Sequence, residues 1–353
     1  MGKVTTKDVL HQLKADLIGK DSYRGVTLSY SWLANQFGHI SLAFIPTIPI
    51  YFYLKNHCSS GMPGLFSALI ITGIWVVFET YNFLGPLLSN RLSHSKLLFL
   101  SGPKYQFQPA WLNIAFDTFT DLGFFTFGAF CAGLMMEYIH QGHYSILLTC
   151  VIVIAITLLY PIHYWYITKI YQQNAEYPFQ FRLSQFDLPI SEPNKITVNS
   201  YLNNNSKGKH LLLFGARDKG KTSLSVGLAN EKSIQDKSCV YLTAMKLSSM
   251  FFEPESMVDN LKYLWTWRNT DYLVIDDIDP GDPIKEDIIS AAQFLEYMDK
   301  YTGHDDTNRK IIQDTSVIWV LGNDDAKNSD KQKWTEMLQQ LGVAIENISC
   351  VEL

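Results

Sequence analysis

Four apolar stretches in the first half of the chain, at 37–54, 65–87, within 111–138 and at 144–166, constrain the fold more than anything else in the sequence. A helix of about 20 residues crosses roughly 30 Å of hydrocarbon, and each stretch approaches or exceeds that length. Lipid offers no hydrogen-bond partners, so a crossing segment has to close its own backbone bonds, and a helix does so within itself. The expectation is a four-span transmembrane domain over 37–171. Pro46, Pro49 and Pro161 predict kinks in the first and fourth spans, and the aromatic clusters YFY (51–53) and YWYITKIY (164–171) suit interfacial belts. The composition of 47% hydrophobic and 18% charged residues averages over two unlike halves, because the remainder carries the turn signals and short β-branched runs of a globular domain.

Basic residues set the orientation. Lys3, Lys7, Lys14, Lys20 and Arg24 precede the first span, Arg91, Lys96 and Lys104 fall between the second and third, and Lys169 and Arg182 follow the fourth. The other two connections hold Lys55 and none, so both termini are expected on the cytoplasmic side of a multi-pass inner membrane protein. Residues 1–36 read as a cytoplasmic amphipathic segment, with Val9, Leu10, Leu13 and Leu17 near one helix face. Glu79, Asp117 and Asp121 lie in or beside the spans, where a carboxylate is costly. They read either as a proton or ion path or as interfacial groups with ordinary hydrogen bonds. The five cysteines are scattered without metal-ligand spacing, which argues against disulfides and structural zinc. The net charge of −5 gives no reason to expect a nucleic-acid partner. The bilayer is the expected partner, together with a second copy of the chain or another membrane or cytosolic protein.

Residues 172–209 turn polar and hold Pro178, Pro189 and Pro193, the composition of a linker. From 210 to 353 short apolar runs alternate with helical stretches. Strands are expected at 210–214, 238–242, 272–276, 317–321 and 348–351, with helices starting near Lys221, Pro254, Pro283 and Lys331. Buried strands separated by helices imply a five-stranded parallel sheet that binds ligands at the carboxyl ends of its strands.

GARDKGKT, Gly215 to Thr222, closes the first of these strands and opens a helix. This Gly-x-x-x-x-Gly-Lys-Thr spacing lets backbone amides converge on phosphate oxygens at a helix N-terminus. The candidate cofactor-binding residues are Gly215, Ala216, Arg217, Asp218, Lys219, Gly220, Lys221, Thr222 and Ser223, with ATP and Mg²⁺ as the cofactors. Lys221 is expected to reach the β- and γ-phosphates, and Thr222 to offer its hydroxyl to the metal. YLVIDDID then supplies an acidic strand end that should lie on a neighbouring strand. Asp276 is the second metal-side candidate, Asp277 the group that orients or deprotonates the attacking water, and Asp279 follows. Asn323, after VIWVLG, is expected to sense the γ-phosphate.

The combination of GARDKGKTS, LVIDDID and the strand ending at Asn323 resembles the P-loop ATPases of the AAA+ and STAND/KAP groups. The resemblance implies ATP-dependent conformational switching, often in bacterial defence or stress settings, and assembly that completes sites between subunits. The spans precede the nucleotide domain here, whereas in KAP proteins they interrupt it, and the chain leaves no room for a helical lid after the fifth strand. No arginine follows Arg309, so Arg268, Arg309 and Arg217 are the candidates to act on a neighbour's nucleotide, with Lys331 or Lys333 as imperfect substitutes. GNDDAKNSD does not match the Asn-Lys-x-Asp of guanine readers, which favours adenine. The fold expected is an α-helical membrane domain followed by a P-loop α/β domain without a lid. The function expected is a membrane-anchored ATPase that performs Mg-dependent phosphoanhydride hydrolysis. The alternative is a nucleotide-gated channel or pore with little hydrolysis.

Overall fold

The computed structural model describes residues 3–18, 26–58, 61–92, 105–252, 264–278, 288–299, 305–322 and 330–353. Two compact units emerge: residues 13–104 with 109–169 form a helical bundle, and residues 1–12, 105–108 and 170–353 form an α/β unit.

The bundle contains the end of α1 (Thr6–Leu17) and four long helices, α2 (Leu28–His57), α3 (Pro63–Leu92), α4 (Trp111–Ile139) and α5 (Ser145–Asn174). All four are long and apolar enough to cross a membrane, over 63–84 in the case of α3. Pro46, Pro49 and Pro161 are accommodated inside α2 and α5. The expected apolar face of α1 is not what it buries. Leu10 and Leu17 are exposed, and the buried residue is Asp16. Its carboxylate accepts hydrogen bonds from Thr27 Oγ1 (2.8 Å), Ser29 Oγ (2.6 Å) and Tyr166 Oη (2.8 Å), which compensate for its burial.

Close backbone approach holds α2, α3 and α4 together. A Cβ on Gly128 would lie 2.2 Å from the Ile40 carbonyl oxygen, and one on Gly133 would lie 2.5 Å from that of Gly64. Gly128 with Ala132, Ala129 with Gly133 and Gly64 with Ala68 are small pairs four residues apart, the spacing that lets helices meet in lipid. Large apolar side chains such as Ile45, Val77, Phe119 and Leu159 point outward.

The α/β unit carries a five-stranded parallel sheet in the order β2-β3-β4-β1-β5, built from β1 (His210–Phe214), β2 (Cys239–Thr243), β3 (Tyr272–Asp276), β4 (Ser316–Val320) and β5 (Ile348–Glu352). Strands buried on both faces read as continuous apolar runs, and β1, β3 and β4 are buried at every position. One expectation is corrected: β3 does not neighbour β1, because β4 pairs with both. Strand order depends on which crossover packs where, and no local pattern records it. The helices are α7 (Lys221–Ile234), α8 (Ala244–Met250), α9 (Ala291–Asp299), α10 (Asp305–Asp314) and α11 (Asp330–Gln340). The helix starts expected at Pro254 and Pro283 lie outside the described residues.

The stretch 172–209 is folded into this unit. A 3₁₀ turn, Leu183–Gln185, and α6 (Glu192–Asn203) bring Leu183, Phe186, Val198 and Tyr201 into the same core as Leu211, Leu213 and Leu224. Phe107, between α3 and α4, joins that core against Phe186, with ring centroids 6.0 Å apart.

Candidate nucleotide site

The loop from β1 to α7 has the geometry its glycines announce. Gly215 sits at φ +148°, where a Cβ would meet the Leu353 carbonyl oxygen at 2.6 Å, so no other residue fits without displacing backbone. Gly220 caps α7 at φ +81°, and Asp218 adopts φ +63° at the tip. The first helical bond runs from Leu224 N to the Gly220 carbonyl (2.8 Å), which leaves the preceding amides of the helix start for a ligand. The Lys221 ammonium donates to the carbonyl oxygens of Gly215 (2.5 Å) and Ala216 (2.8 Å) and so braces the loop from within. Gly215 N donates in turn to the Gly322 carbonyl at the end of β4 (3.1 Å).

One cleft of about 640 Å³ collects the loop and the acidic strand end. Its lining includes Arg217, Asp218, Gly220, Lys221, Thr222 and Ser223 from the loop and helix start, Asp276 and Asp277 from the strand end, and the apolar Leu188 and Val320. Ala216 and Lys219 belong to the same loop, half-buried and exposed respectively. The inserted β4 thus does not separate the two motifs. Asn323 and Asp279 lie outside the described residues.

Asp276 is buried, and both its oxygens are held. Oδ2 accepts from the Tyr241 hydroxyl at 2.7 Å, and Oδ1 accepts from Asp277 N at 2.8 Å. Tyr241 stands on β2 opposite Val274, two residues before the Thr243–Asp276 pair, so its side chain shares a sheet face with the carboxylate. Burial first, then the adjacent Asp276, push the Tyr241 phenol well above the ordinary tyrosine range, which keeps it a hydrogen-bond donor. Sequence reasoning missed this residue; its signal was a lone hydroxyl in the apolar run CVYLT. It also missed Leu188 and Phe186, which approach Gly220 from the stretch expected to be a linker.

Asp277 is exposed at φ +56°, and burial followed by the Asp276 charge raises its carboxyl above the usual range. That direction suits a group asked to accept a proton. Of the arginines, Arg309 forms a two-pronged ion pair with Asp299 within the chain. Arg268 lies 4.5 Å over the Trp267 ring and donates to the Met250 carbonyl, and among the described residues Arg217 is the arginine that lines the cleft. Lys331 and Lys333 lie on α11 and are exposed.

The donor set fits a hard divalent cation. Thr222 and Asp276 bring hydroxyl and carboxylate oxygen to one cleft, the ligand type that Mg²⁺ takes alongside phosphate oxygens.

No known protein family matches the chain, and no curated protein matches it. Among solved structures, DnaI is similar at 17% identity over 49% of this chain and 87% of its own, with a TM-score of 0.30. The DnaC helicase loader is similar at 17% identity over 52% of this chain and 98% of its own, with a TM-score of 0.33. At these values the reading of the site rests on its own geometry.

Proposed function

We propose that the chain is a membrane-anchored P-loop protein that binds and hydrolyses ATP, and that its nucleotide state acts on the four-helix bundle. The single observation that carries this reading is the cleft lined both by the loop residues Arg217, Asp218, Gly220, Lys221, Thr222 and Ser223 and by Asp276 and Asp277. In this reading the loop amides hold the phosphates. Lys221 leaves the Gly215 and Ala216 carbonyls for the β- and γ-phosphate oxygens, and Thr222 with Asp276 holds Mg²⁺. The metal, when bound, neutralises phosphate charge. Asp277 orients the attacking water and accepts its proton, and Asn323 senses the γ-phosphate.

Membrane anchoring draws support from chain order. Residues 1–12 ahead of the first long helix, residues 105–108 between the second and third, and residues from 170 onward belong to the α/β unit. Four crossings return the chain to one side at each of those points, as the distribution of Lys and Arg expects. A second copy of this chain is the partner class proposed, with a role in defence or stress following only from the family resemblance.

Hydrolysis of radiolabelled ATP with magnesium by the full chain in nanodiscs tests the reading. Lys221→Ala is expected to lower the rate about 100-fold or more; equal rates in the two proteins would remove the ATPase claim. A nucleotide-gated channel with little hydrolysis is the second reading, favoured by the exposed, left-handed placement of the short Asp277 side chain. Its signature is tight nucleotide binding without turnover, together with ion flux that depends on nucleotide.

A further inference from the structure

Three of the four long helices each bring an ionisable group to one spot: His39 from α2, Glu79 from α3 and Asp121 from α4. His39 Nδ1 lies 3.2 Å from Asp121 Oδ1 and 3.3 Å from Gln36 Oε1. The ring stacks on Phe125 with centroids 4.5 Å apart, and Phe125 stacks on Trp75 at 3.9 Å. His39 Nε2 faces the Asn35 amide at 3.5 Å. Glu79, hydrogen-bonded to Asn82, is in electrostatic reach of both His39 and Asp121. Asp117, one turn before Asp121, is exposed, and α5 meets α4 here through Leu158 and Trp165.

Two features separate this cluster from a structural ion pair. Asp121 Oδ1 is fully buried and lies 3.2 Å from His39 Nδ1, yet it accepts no hydrogen bond from a donor among the described residues. A buried oxygen left so is costly unless it serves a purpose. Two carboxylates, the Gln36 amide oxygen and an aromatic face stabilise positive charge on the ring, while the Asn35 amide nitrogen, a donor, stands at Nε2. One acid with both oxygens satisfied is enough for packing, as Asp16 shows in the same bundle.

We propose that His39, Asp121 and Glu79 form a proton-binding site inside the helical bundle. With Nδ1–H at Gln36 Oε1 and Asp121 alongside, the incoming proton bonds to the Nε2 lone pair as the Asn35 amide turns over to present its oxygen in place of its nitrogen. It comes from hydronium, which leaves as water, and no other bond changes. The site rests on the geometry of the bundle alone and stands or falls independently of the nucleotide reading.

The test is nitrogen NMR of the full chain, labelled with ¹⁵N-histidine and reconstituted in lipid, with His39→Gln identifying the His39 signal. The wild-type ring is expected to take up one proton between pH 8 and pH 5. Asp121→Asn is expected to raise the proton concentration for half-loading about tenfold or more, and Glu79→Gln severalfold. A ring whose protonation does not change over that range, or half-loading at one proton concentration in all three proteins, overturns the proposal. Should Asp121→Asn not fold, the wild-type and Glu79→Gln titrations decide it, and coincidence of the two overturns it.

Discussion

The helical bundle and the α/β unit solve the packing problem in opposite ways. In the α/β unit, Leu211, Leu212, Leu213, Ile318 and Trp319 are fully buried, and strand–helix layers exclude water from large apolar side chains. In the bundle, small residues, Ala43, Ala68, Ala129 and Ala132, are buried at the helix contacts beside a few large ones, Ile71, Phe125 and Phe130, while Ile45, Phe52, Val77 and Ile156 face outward. In the membrane proposed for the bundle, apolar surroundings weaken the reason to bury large side chains, and contact energy then comes more from backbones that approach closely. The difference teaches where each unit is brittle: the bundle at its glycines, the α/β unit at its buried polar groups.

The largest effect is expected at Gly128. A methyl group there meets backbone, the Ile40 carbonyl oxygen at 2.2 Å, and cannot be relieved by a rotamer. Gly128→Ala is expected to destabilise the bundle by about 3 kcal/mol, read as a lower thermal midpoint in detergent. Gly38 on α2 has nothing within 4 Å of its added Cβ, so Gly38→Ala should raise the midpoint slightly through helix propensity. If both substitutions act alike, the close-approach account of the bundle fails.

Next comes acid sensitivity of the α/β core. His210 is buried on β1, with Nδ1 accepting from Trp319 Nε1 at 3.1 Å, and burial pushes the ring down to about 4. An exposed histidine in the unfolded chain titrates near 6.5, so the unfolded state binds a proton first as pH falls. Stability contributed by the neutral ring is whole above about pH 6.5, is lost as pH falls through that window, and levels off near the folded value. Between pH 7 and 4.5 the loss is expected to be about 2 kcal/mol. Denaturant melts at both pH values check it, and His210→Gln should flatten the difference.

What the sequence made legible follows the same division. Buried parallel strands are continuous apolar runs with turn residues at their ends, so β1 and β3 fall at the expected residues, while β2 and β4 are shifted by one residue at both ends and β5 ends one residue later. Glycine spacing gave the loop at 215–222 because the constraint is local. The Tyr241–Asp276 bond joins residues 35 apart, and His39 meets Asp121 across two helices, so neither leaves a local trace. Hydropathy found the four long helices, but it reports what faces outward and is silent on the small residues by which they touch.

A smaller effect is expected at Tyr241. Removing its hydroxyl leaves Asp276 Oδ2 without that donor while Asp277 N still holds Oδ1, so the carboxylate is oriented less tightly and keeps its charge. Tyr241→Phe is expected to weaken binding of ATP with magnesium about fivefold, roughly 1 kcal/mol, and to leave binding of ATP in chelator unchanged. Equal weakening under both conditions would mean that the phenol supports the strand and not the metal-side carboxylate. Calorimetric titration of the full chain separates the two cases, and thermal midpoints in the same buffers show whether the fold has moved.

The smallest effect offers the most direct comparison, because one substitution can be made in both units. In the bundle, Trp165 Nε1 donates to Thr120 Oγ1 at 3.1 Å, and that hydroxyl donates to the Phe116 carbonyl at 2.7 Å. In the α/β unit, buried Thr270 Oγ1 lies 2.8 Å from the Ser238 carbonyl oxygen. Valine keeps the shape and removes the hydroxyl at either place. Thr120→Val is expected to cost about half a kcal/mol, because a helix released in lipid finds other partners for its polar groups. Thr270→Val is expected to cost about 1 kcal/mol, because the folded chain loses the hydroxyl's bond without a substitute, although Asp271 N and Tyr272 N still donate to the Ser238 carbonyl. The order of the two carries the argument more than their size. A larger loss at Thr120 than at Thr270 would mean that the bundle depends on directional bonds as the sheet does, and that its glycine contacts follow from those bonds.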